Sequence, residues 1–237
     1  LTIEGGDKAL RYKIYLGAKW SPGVMKKSDL NTKTGKVDIN YRFGKFLVNN
    51  TVSVDYSKGA RTSPYGNFQD YALVNPYYRK TDPNGNVMQV LDDQRTGDDP
   101  YEFVAYYGTP TLNPLWNAQF ESKNENRSFE FREAFKVEYL PIESLRLSLD
   151  FSLSRKDGTV EIFKPAQHND FYLVKNPAEK GTYEWSKTEG SNYRLSLSGA
   201  YNKALGGDHL VSAYARYMLT ENTTKSTLLT MKGFPND

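Results

Sequence analysis

The strongest constraint on the fold is residues 145–155, in which apolar and polar side chains alternate without a break. One set is Leu145, Leu147, Leu149, Phe151 and Leu153, and the other is Arg146, Ser148, Asp150, Ser152 and Ser154. Because successive side chains of a β-strand point to opposite faces, the stretch predicts a strand with one apolar face and one wet face. It is about twice as long as the usual strand of roughly 5–6 residues. The apolar face must therefore contact either a second protein layer or lipid.

The same alternation recurs along most of the chain. It predicts a short strand at residues 1–5 and longer strands at residues 10–20, 36–43, 46–57, 127–140, 145–155, 191–203 and 209–220. The connections alternate between short turns and long loops, and the long loops are residues 21–35, 58–126 and 156–190. This pattern predicts an all-β antiparallel meander with tight turns at one end of the sheet and long loops at the other.

Composition narrows the choice between a soluble and a membrane protein. Only 38% of the 237 residues are hydrophobic, and no window approaches the 18 consecutive apolar residues of a transmembrane helix. A strand that crosses a bilayer needs only about 9–11 residues, of which every second one is apolar, so average hydropathy misses it. Strands of this length, with long loops at one end of the sheet and short turns at the other, are typical of outer-membrane β-barrels.

Aromatic residues mark both ends of the predicted apolar face. If the short turns lie in the periplasm, one rim holds Phe43, Phe46, Tyr139 and Tyr201, and the other holds Trp20, Tyr56, Phe129, Tyr193 and Tyr217. Two aromatic belts around an aliphatic band are typical of bilayer interfaces. A soluble β-sandwich is the alternative, because its strands also alternate. Since the first strand is short and both chain ends lie on the long-loop side, we expect a segment of a larger barrel or one chain of a split barrel.

Four short motifs between the predicted strands resemble loops of a known transporter family. They are residues 23–29 (GVMKKSD), residues 75–78 (NPYY) followed by 82–86 (DPNGN), residues 113–118 (NPLWNA), and residues 232–235 (KGFP). Each is weak alone, but their order and spacing resemble the SusC/RagA-type TonB-linked outer-membrane transporters of Bacteroidetes over essentially the whole chain.

The resemblance implies a barrel of about 22 strands with an N-terminal plug. It places residues 1–237 within one barrel domain, without the plug and the remaining strands. It further implies import of oligosaccharides or peptides across the cell outer membrane, with a SusD-type lipoprotein as lid and TonB, ExbB and ExbD as the energy source. A TonB-dependent siderophore or vitamin receptor and a soluble β-sandwich glycan-binding module are the alternative functions.

Aromatic side chains in the long loops are the candidate substrate contacts, because aromatic rings stack on sugar rings while nearby polar groups bind hydroxyls. The candidates are Tyr65, Tyr77, Tyr78, Tyr106, Tyr107, Trp116 and Trp185. Packing within the loops and contact with a lid are the alternative roles for these residues.

Enzymatic, metal-binding and nucleic-acid-binding functions are not expected. His168 and His209 are far apart in sequence, there is no cysteine, and no nucleophile or phosphate-loop motif is present. The net charge of +3 is too balanced to favour nucleic acid. Asp82, Asn84 and Asn86 are spaced as in a calcium loop, but Val87 stands where that loop needs glycine, so a hairpin turn is the better interpretation. We therefore expect no cofactor, and the remaining partner is outer-membrane lipid.

Overall fold

The chain forms one open antiparallel sheet of eight strands in sequence order. The structure is a computed structural model and describes residues 1–60, 62–91, 110–206 and 209–234. The strands are β1 (Thr2–Gly6), β2 (Leu10–Ser21), β3 (Leu30–Phe43), β4 (Phe46–Gly59), β5 (Lys123–Ile142), β6 (Leu145–Lys164), β7 (Thr182–Leu205) and β8 (His209–Lys232). The predicted all-β meander is confirmed.

The strand register brings the apolar residues of neighbouring strands together on one side of the sheet, the apolar face. Leu149 lies opposite Val137 of β5 and Leu197 of β7. Near the short turns, the rings of Phe46 and Tyr139 stack with their centroids 4.5 Å apart. The other side, the polar face, carries the alternate residues of each strand, such as Asp150 and Arg194. The two-faced sheet predicted from alternation is therefore present.

The apolar face has no second protein layer against it in the described parts of the chain. Leu197 and Tyr217 are 49% and 62% exposed on this face. The buried hydrophobic residues are Ala60, Tyr65, Val90, Leu91 and Phe171, all of which lie in loops. A β-sandwich would instead bury the apolar face between two sheets. The soluble sandwich alternative is therefore wrong for this single sheet.

Several strands are longer than the sequence pattern predicts. β6 has 20 residues, and β7 and β8 have 24 each. The predicted loop of residues 156–190 is wrong over most of its length, because only residues 165–181 connect β6 to β7. The strands continue beyond the apolar band, where polar residues interrupt the alternation of hydrophobicity while the backbone pairing goes on.

Two turns follow from glycines with positive φ. Gly44 has a φ of +54° and closes the two-residue connection between Phe43 and Phe46, which are paired. Gly85 has a φ of +88° in the turn that pairs Thr81 with Val87. Such backbone angles favour glycine in hairpin turns. Both turns agree with the predictions from the sequence.

The carboxyl group of Glu133 interrupts the apolar face between its aromatic rims. Glu133 lies on β5 between Phe131 and Phe135 and opposite Val52 and Leu153. Its carboxyl Oε1 accepts a hydrogen bond of 3.3 Å from Asn50 Nδ2, which lies on the same face. The sequence analysis did not identify this polar pair.

Helices are short and lie only in the loops. The α-helix α1 spans Phe68–Ala72, and three single-turn 3₁₀ helices span Trp116–Gln119, Asn169–Phe171 and Pro177–Glu179. Within the described ranges, no helix has the length and apolar character needed to cross a membrane.

Candidate functional site

Two loops meet at the end of the sheet opposite the short turns. The first loop (residues 60–122) connects β4 to β5, and the second loop (residues 165–181) connects β6 to β7. Their described residues are joined by hydrogen bonds between residues about 50 positions apart in sequence, as detailed below. The two loops therefore pack against each other as one unit. This unit contains the buried hydrophobic residues of the described part of the chain.

Asn113 is the centre of the first loop. It is only 1% exposed, and its Nδ2 donates to the carbonyl oxygens of Lys80 and Met88 at 3.0 and 2.7 Å. Its Oδ1 accepts from the backbone N–H of Leu115 at 3.1 Å. Its own carbonyl oxygen accepts from Asn169 Nδ2 of the second loop at 2.8 Å. A buried amide is stable only when its polar atoms are bonded, and these four bonds meet that condition.

The next residues of the same motif join the first loop to the second. The indole Nε1 of Trp116 donates to the carbonyl oxygen of Gln167 at 2.9 Å. Oδ1 of Asn117 accepts from the backbone N–H of Asn169 at 2.8 Å. The ring of Trp116 also packs edge-on against Phe120. The motif of residues 113–118 thus fixes the position of one loop against the other.

Tyr65 is held in place by the motif of residues 23–29. The side-chain nitrogens of Lys26 and Lys27 lie 5.5 and 5.4 Å from the centre of its ring, within cation–π range. Lys27 also forms a 2.9 Å ion pair with Glu121. Hydrogen bonding to Tyr65, followed by Glu121, raises the pKa of Lys27 above its ordinary value. Tyr65 is 3% exposed, so its ring is mainly a packing element.

A cleft of about 830 Å³ opens between the two loops and the polar face of the sheet. Its floor is formed by polar-face residues near the loop ends of the strands, including Asn124, Lys164 and Glu184. The loops supply its walls, and these residues include Tyr65, Asn67, Asp70, Asn117, His168, Asn169 and Asp170. The cleft therefore presents amide, acidic and basic groups together.

The carboxylate of Asp170 is contacted by His168 and by Lys164 in the cleft. Nδ1 of His168 lies 3.3 Å from Asp170 Oδ1 and accepts the backbone N–H of Asp170 at 3.2 Å. Lys164 forms an ion pair with the Asp170 carboxylate. The histidine hydrogen bond, and then Lys164, hold the pKa of Asp170 well below its usual range. Asp170 is therefore a carboxylate in this cleft at neutral pH.

The structure separates the aromatic residues that the sequence analysis grouped. Of the five candidates among the described residues, only Tyr65 lines the cleft. Tyr77 is 94% exposed in the turn of residues 75–78, where Asn75 Oδ1 accepts its backbone N–H at 3.0 Å. Trp185 lies on the other side of the sheet, because it shares a face with Leu197 on β7. Tyr78 is half-buried beside Tyr77. Trp116 joins the first loop to the second through its hydrogen bond to the carbonyl oxygen of Gln167.

Tyr106 and Tyr107 lie outside the described residues, and the substrate-contact role of all seven aromatic residues stays a prediction. The sequence analysis missed the amides and charges of the cleft, chiefly Asn117, Asn169 and Asp170. The repeated asparagines of the 113–118 motif were the available signal, since buried amides commonly fix loop backbones. The second-loop residues carry no comparable motif.

The Asp82 segment is a hairpin turn, as predicted. Oδ1 of Asp82 accepts the backbone N–H groups of Asn84 and Asn86, both at 2.8 Å. Bonds from Asn86 lower the pKa of Asp82. The polar atoms of the segment are thus used within the turn. In the part of the chain that the structure describes, no group of three or more histidine, cysteine, aspartate or glutamate residues is arranged to hold a metal ion.

Comparison with known proteins gives a consistent picture of the fold. No protein-family profile and no curated protein sequence matches the chain. Its structure is similar to a chain of the RagAB peptide importer in the closed-closed state, with a TM-score of 0.72 and 15% identity. The similarity covers 100% of this chain and 25% of that chain. A second structure of the RagAB peptide transporter gives the same values, and the open-open state of the importer gives a TM-score of 0.71.

The chain spans about a quarter of the length of the importer chains that it resembles. At 15% identity the similarity concerns the fold, and at that level it confirms the resemblance predicted from the loop motifs. The chain has the fold of a β-barrel segment of the RagAB peptide importer.

Proposed function

We propose that the chain is a barrel segment of a TonB-dependent outer-membrane nutrient importer. The observation that carries this proposal is the apolar face, which is flanked by aromatic residues and has no protein layer against it. In a bilayer such a face is buried by lipid, and the paired strands satisfy their own backbone hydrogen bonds. The polar face then lines the barrel interior. In this role the chain transports and does not catalyse.

The two loops then lie on the extracellular side, and the cleft opens toward the barrel interior. We propose that the cleft contacts the substrate on entry, and that the substrate is a peptide rather than an oligosaccharide. Two observations favour a peptide. The cleft is lined by acidic, basic and amide side chains, which suit the polar groups of a peptide, whereas the described aromatic candidates are packed, at a turn or on the other face of the sheet. The similar structures are also of a peptide importer.

The remaining parts of the machine come from the family resemblance. We propose that residues 1–237 belong to one barrel domain of about 22 strands with a separate plug. A SusD-type lipoprotein would cover the loops, and TonB, ExbB and ExbD would act through the plug. The packed contact between the two loops supports this arrangement, because a lid needs a defined surface to close against.

Growth on peptides tests the proposed function. Cells that lack the full-length protein are expected to lose growth on an oligopeptide mixture as the only nitrogen source and to keep growth on free amino acids. Reintroduction of the wild-type gene should restore growth. A tagged full-length protein should also copurify a surface lipoprotein. Unchanged growth on peptides in the deletion strain, with no loss on oligosaccharides either, would refute the importer proposal.

A further inference from the structure

The charge of the polar face is strongly unbalanced between the two aromatic rims. Eleven basic side chains lie there, namely Arg11, Lys13, Lys19, Lys36, Arg42, Arg132, Lys136, Arg146, Lys156, Arg194 and Arg216. The acidic side chains of this region are six, namely Glu4, Asp38, Asp55, Glu130, Glu138 and Asp150. The whole chain is nearly neutral by comparison, with 31 basic and 28 acidic residues.

Ion pairing leaves this excess on unpaired cations. Five of the six carboxylates pair with four of the cations, and Asp150 is the exception. These pairs are Lys13–Glu4, Lys36–Asp38, Arg132–Asp55, Arg132–Glu130 and Lys136–Glu138, at 2.7 to 3.6 Å. The other seven cations of this face have no ion pair among the described residues, and they are Arg11, Lys19, Arg42, Arg146, Lys156, Arg194 and Arg216. The unpaired charge of the polar face is therefore mostly positive.

Two of the unpaired arginines, Arg194 and Arg216, line a groove of about 560 Å³ across β4 to β8. Lys136, which is paired with Glu138, also lines it, and Asp150 is its one carboxylate. Nε of Arg216 donates a 2.8 Å hydrogen bond to the hydroxyl of Ser196, which is 1% exposed. This bond fixes one edge of the guanidinium group and leaves its remaining N–H groups for a ligand.

A cationic wall of this kind favours anionic ligands. Clefts lined by charge of one sign, with walls of low dielectric constant, concentrate ions of the opposite sign. Arginine binds carboxylates with two parallel hydrogen bonds, which neutral sugars do not match. Rings of arginine and lysine likewise select anions in pores.

We propose that the groove around Arg194 and Arg216 selects substrates rich in carboxylate groups, so that the importer prefers acidic peptides. This inference rests on the proposed function, which does not itself specify the charge of the substrate. The arginines attract and orient the acidic side chains of the peptide along the polar face. Asp150 lies directly opposite Lys136 in the register, while Lys136 is paired with Glu138.

Equilibrium binding tests the inference without requiring transport. The probes are three fluorescent hexapeptides with net charges of −2, 0 and +2 and otherwise matched sequences, and the full-length protein is purified in detergent. Fluorescence anisotropy is expected to show binding of the −2 peptide about tenfold tighter than that of the neutral peptide, in proportion to typical electrostatic focusing. Raising the salt concentration should reduce this preference.

Two matched double variants locate the effect. Arg194→Gln with Arg216→Gln is expected to remove most of the preference for the −2 peptide. Lys203→Gln with Lys225→Gln makes the same change of charge on the other side of β7 and β8, the side of Leu197 and Tyr217. This variant should leave the preference intact. Equal binding of the −2 and neutral peptides by the wild-type protein would overturn the inference, as would a preference that survives the arginine substitutions. Failure of peptide-dependent growth would instead count against the proposed function.

Discussion

Replacing Glu133 by leucine should stabilise the protein when Asn50, its hydrogen-bond partner, is replaced by an apolar residue as well. Glu133 lies on the apolar face between two phenylalanines and receives only the 3.3 Å bond from Asn50. A carboxyl group in this position gives up its hydration, while leucine is favourable in lipid by a few tenths of a kcal/mol. On the lipid face of barrels, Arg or Lys at the bilayer midplane destabilises folding by about 2–4 kcal/mol and Glu by less. We therefore expect removal of the carboxyl group to raise the free energy of unfolding by about 1 kcal/mol.

The Asn50 amide determines how much of this gain is realised. In Glu133→Leu the amide loses its acceptor, and a buried unpaired polar group costs about 1–3 kcal/mol. The double variant Asn50→Val with Glu133→Leu should therefore be more stable than either single variant. The assay is urea unfolding of the full-length protein in phospholipid vesicles, monitored by tryptophan fluorescence. Asp150→Leu, on the polar face of the neighbouring strand, is the matched control and should not stabilise. A loss of stability in the double variant would refute lipid contact at this position.

Three further predictions use the same structure. Leu149→Arg, in the middle of the apolar band, should destabilise the barrel in vesicles by about 2–4 kcal/mol, and unchanged folding would contradict the assigned face. Asn117→Ala should increase hydrogen exchange in both loops by removing the bond between its Oδ1 and the backbone N–H of Asn169, whereas exposed Asn84→Ala should not alter exchange in the second loop. Because the pKa of Asp170 is lowered, its contacts with His168 and Lys164 stabilise the second loop at pH values above the ordinary carboxyl pKa of 3.8, and this stabilisation is lost as the pH falls through the lowered pKa. Pepsin should therefore cleave this loop faster as the pH falls in the wild type. Asp170→Asn should weaken that pH dependence.

The sheet could be predicted from the sequence because its two faces differ in polarity, one carrying apolar and the other polar side chains. Residues 145–153 alternate strictly, and β6 pairs through all of them. The predicted strand ended at residue 155 because Arg155 and Lys156, which lie on opposite faces, are both polar and the alternation stops there. Backbone pairing continues to Lys164 through the polar and glycine residues 155–159, and the apolar Val160 and Ile162 that follow lie on the other face from Leu145 to Leu153. Periodicity therefore identified the apolar band but not the full strands.

The cleft could be predicted only in part. Tyr65 lines it, but its walls depend on Asn113, Asn117 and Asn169, which meet through bonds between the two loops. Contacts of such long sequence separation leave no periodic pattern in either loop. The charge of the polar face was equally hidden, because the near-neutral composition includes acids placed in loops and beyond the apolar band. It becomes visible only when the register assigns each side chain to a face.

The orientation of β6 is the most direct test of the central claim that the apolar face contacts lipid and the polar face a wet interior. The chain contains no cysteine, so single spin labels can be placed on cysteines introduced at each position of residues 145–153. Electron paramagnetic resonance of the full-length protein in vesicles would compare relaxation by oxygen, which is enriched in lipid, with relaxation by a water-soluble nickel complex. The account predicts an alternation of two residues, with oxygen favoured at Leu147, Leu149 and Phe151 and nickel at Ser148 and Asp150. Equal values at adjacent positions, or the opposite alternation, would contradict it.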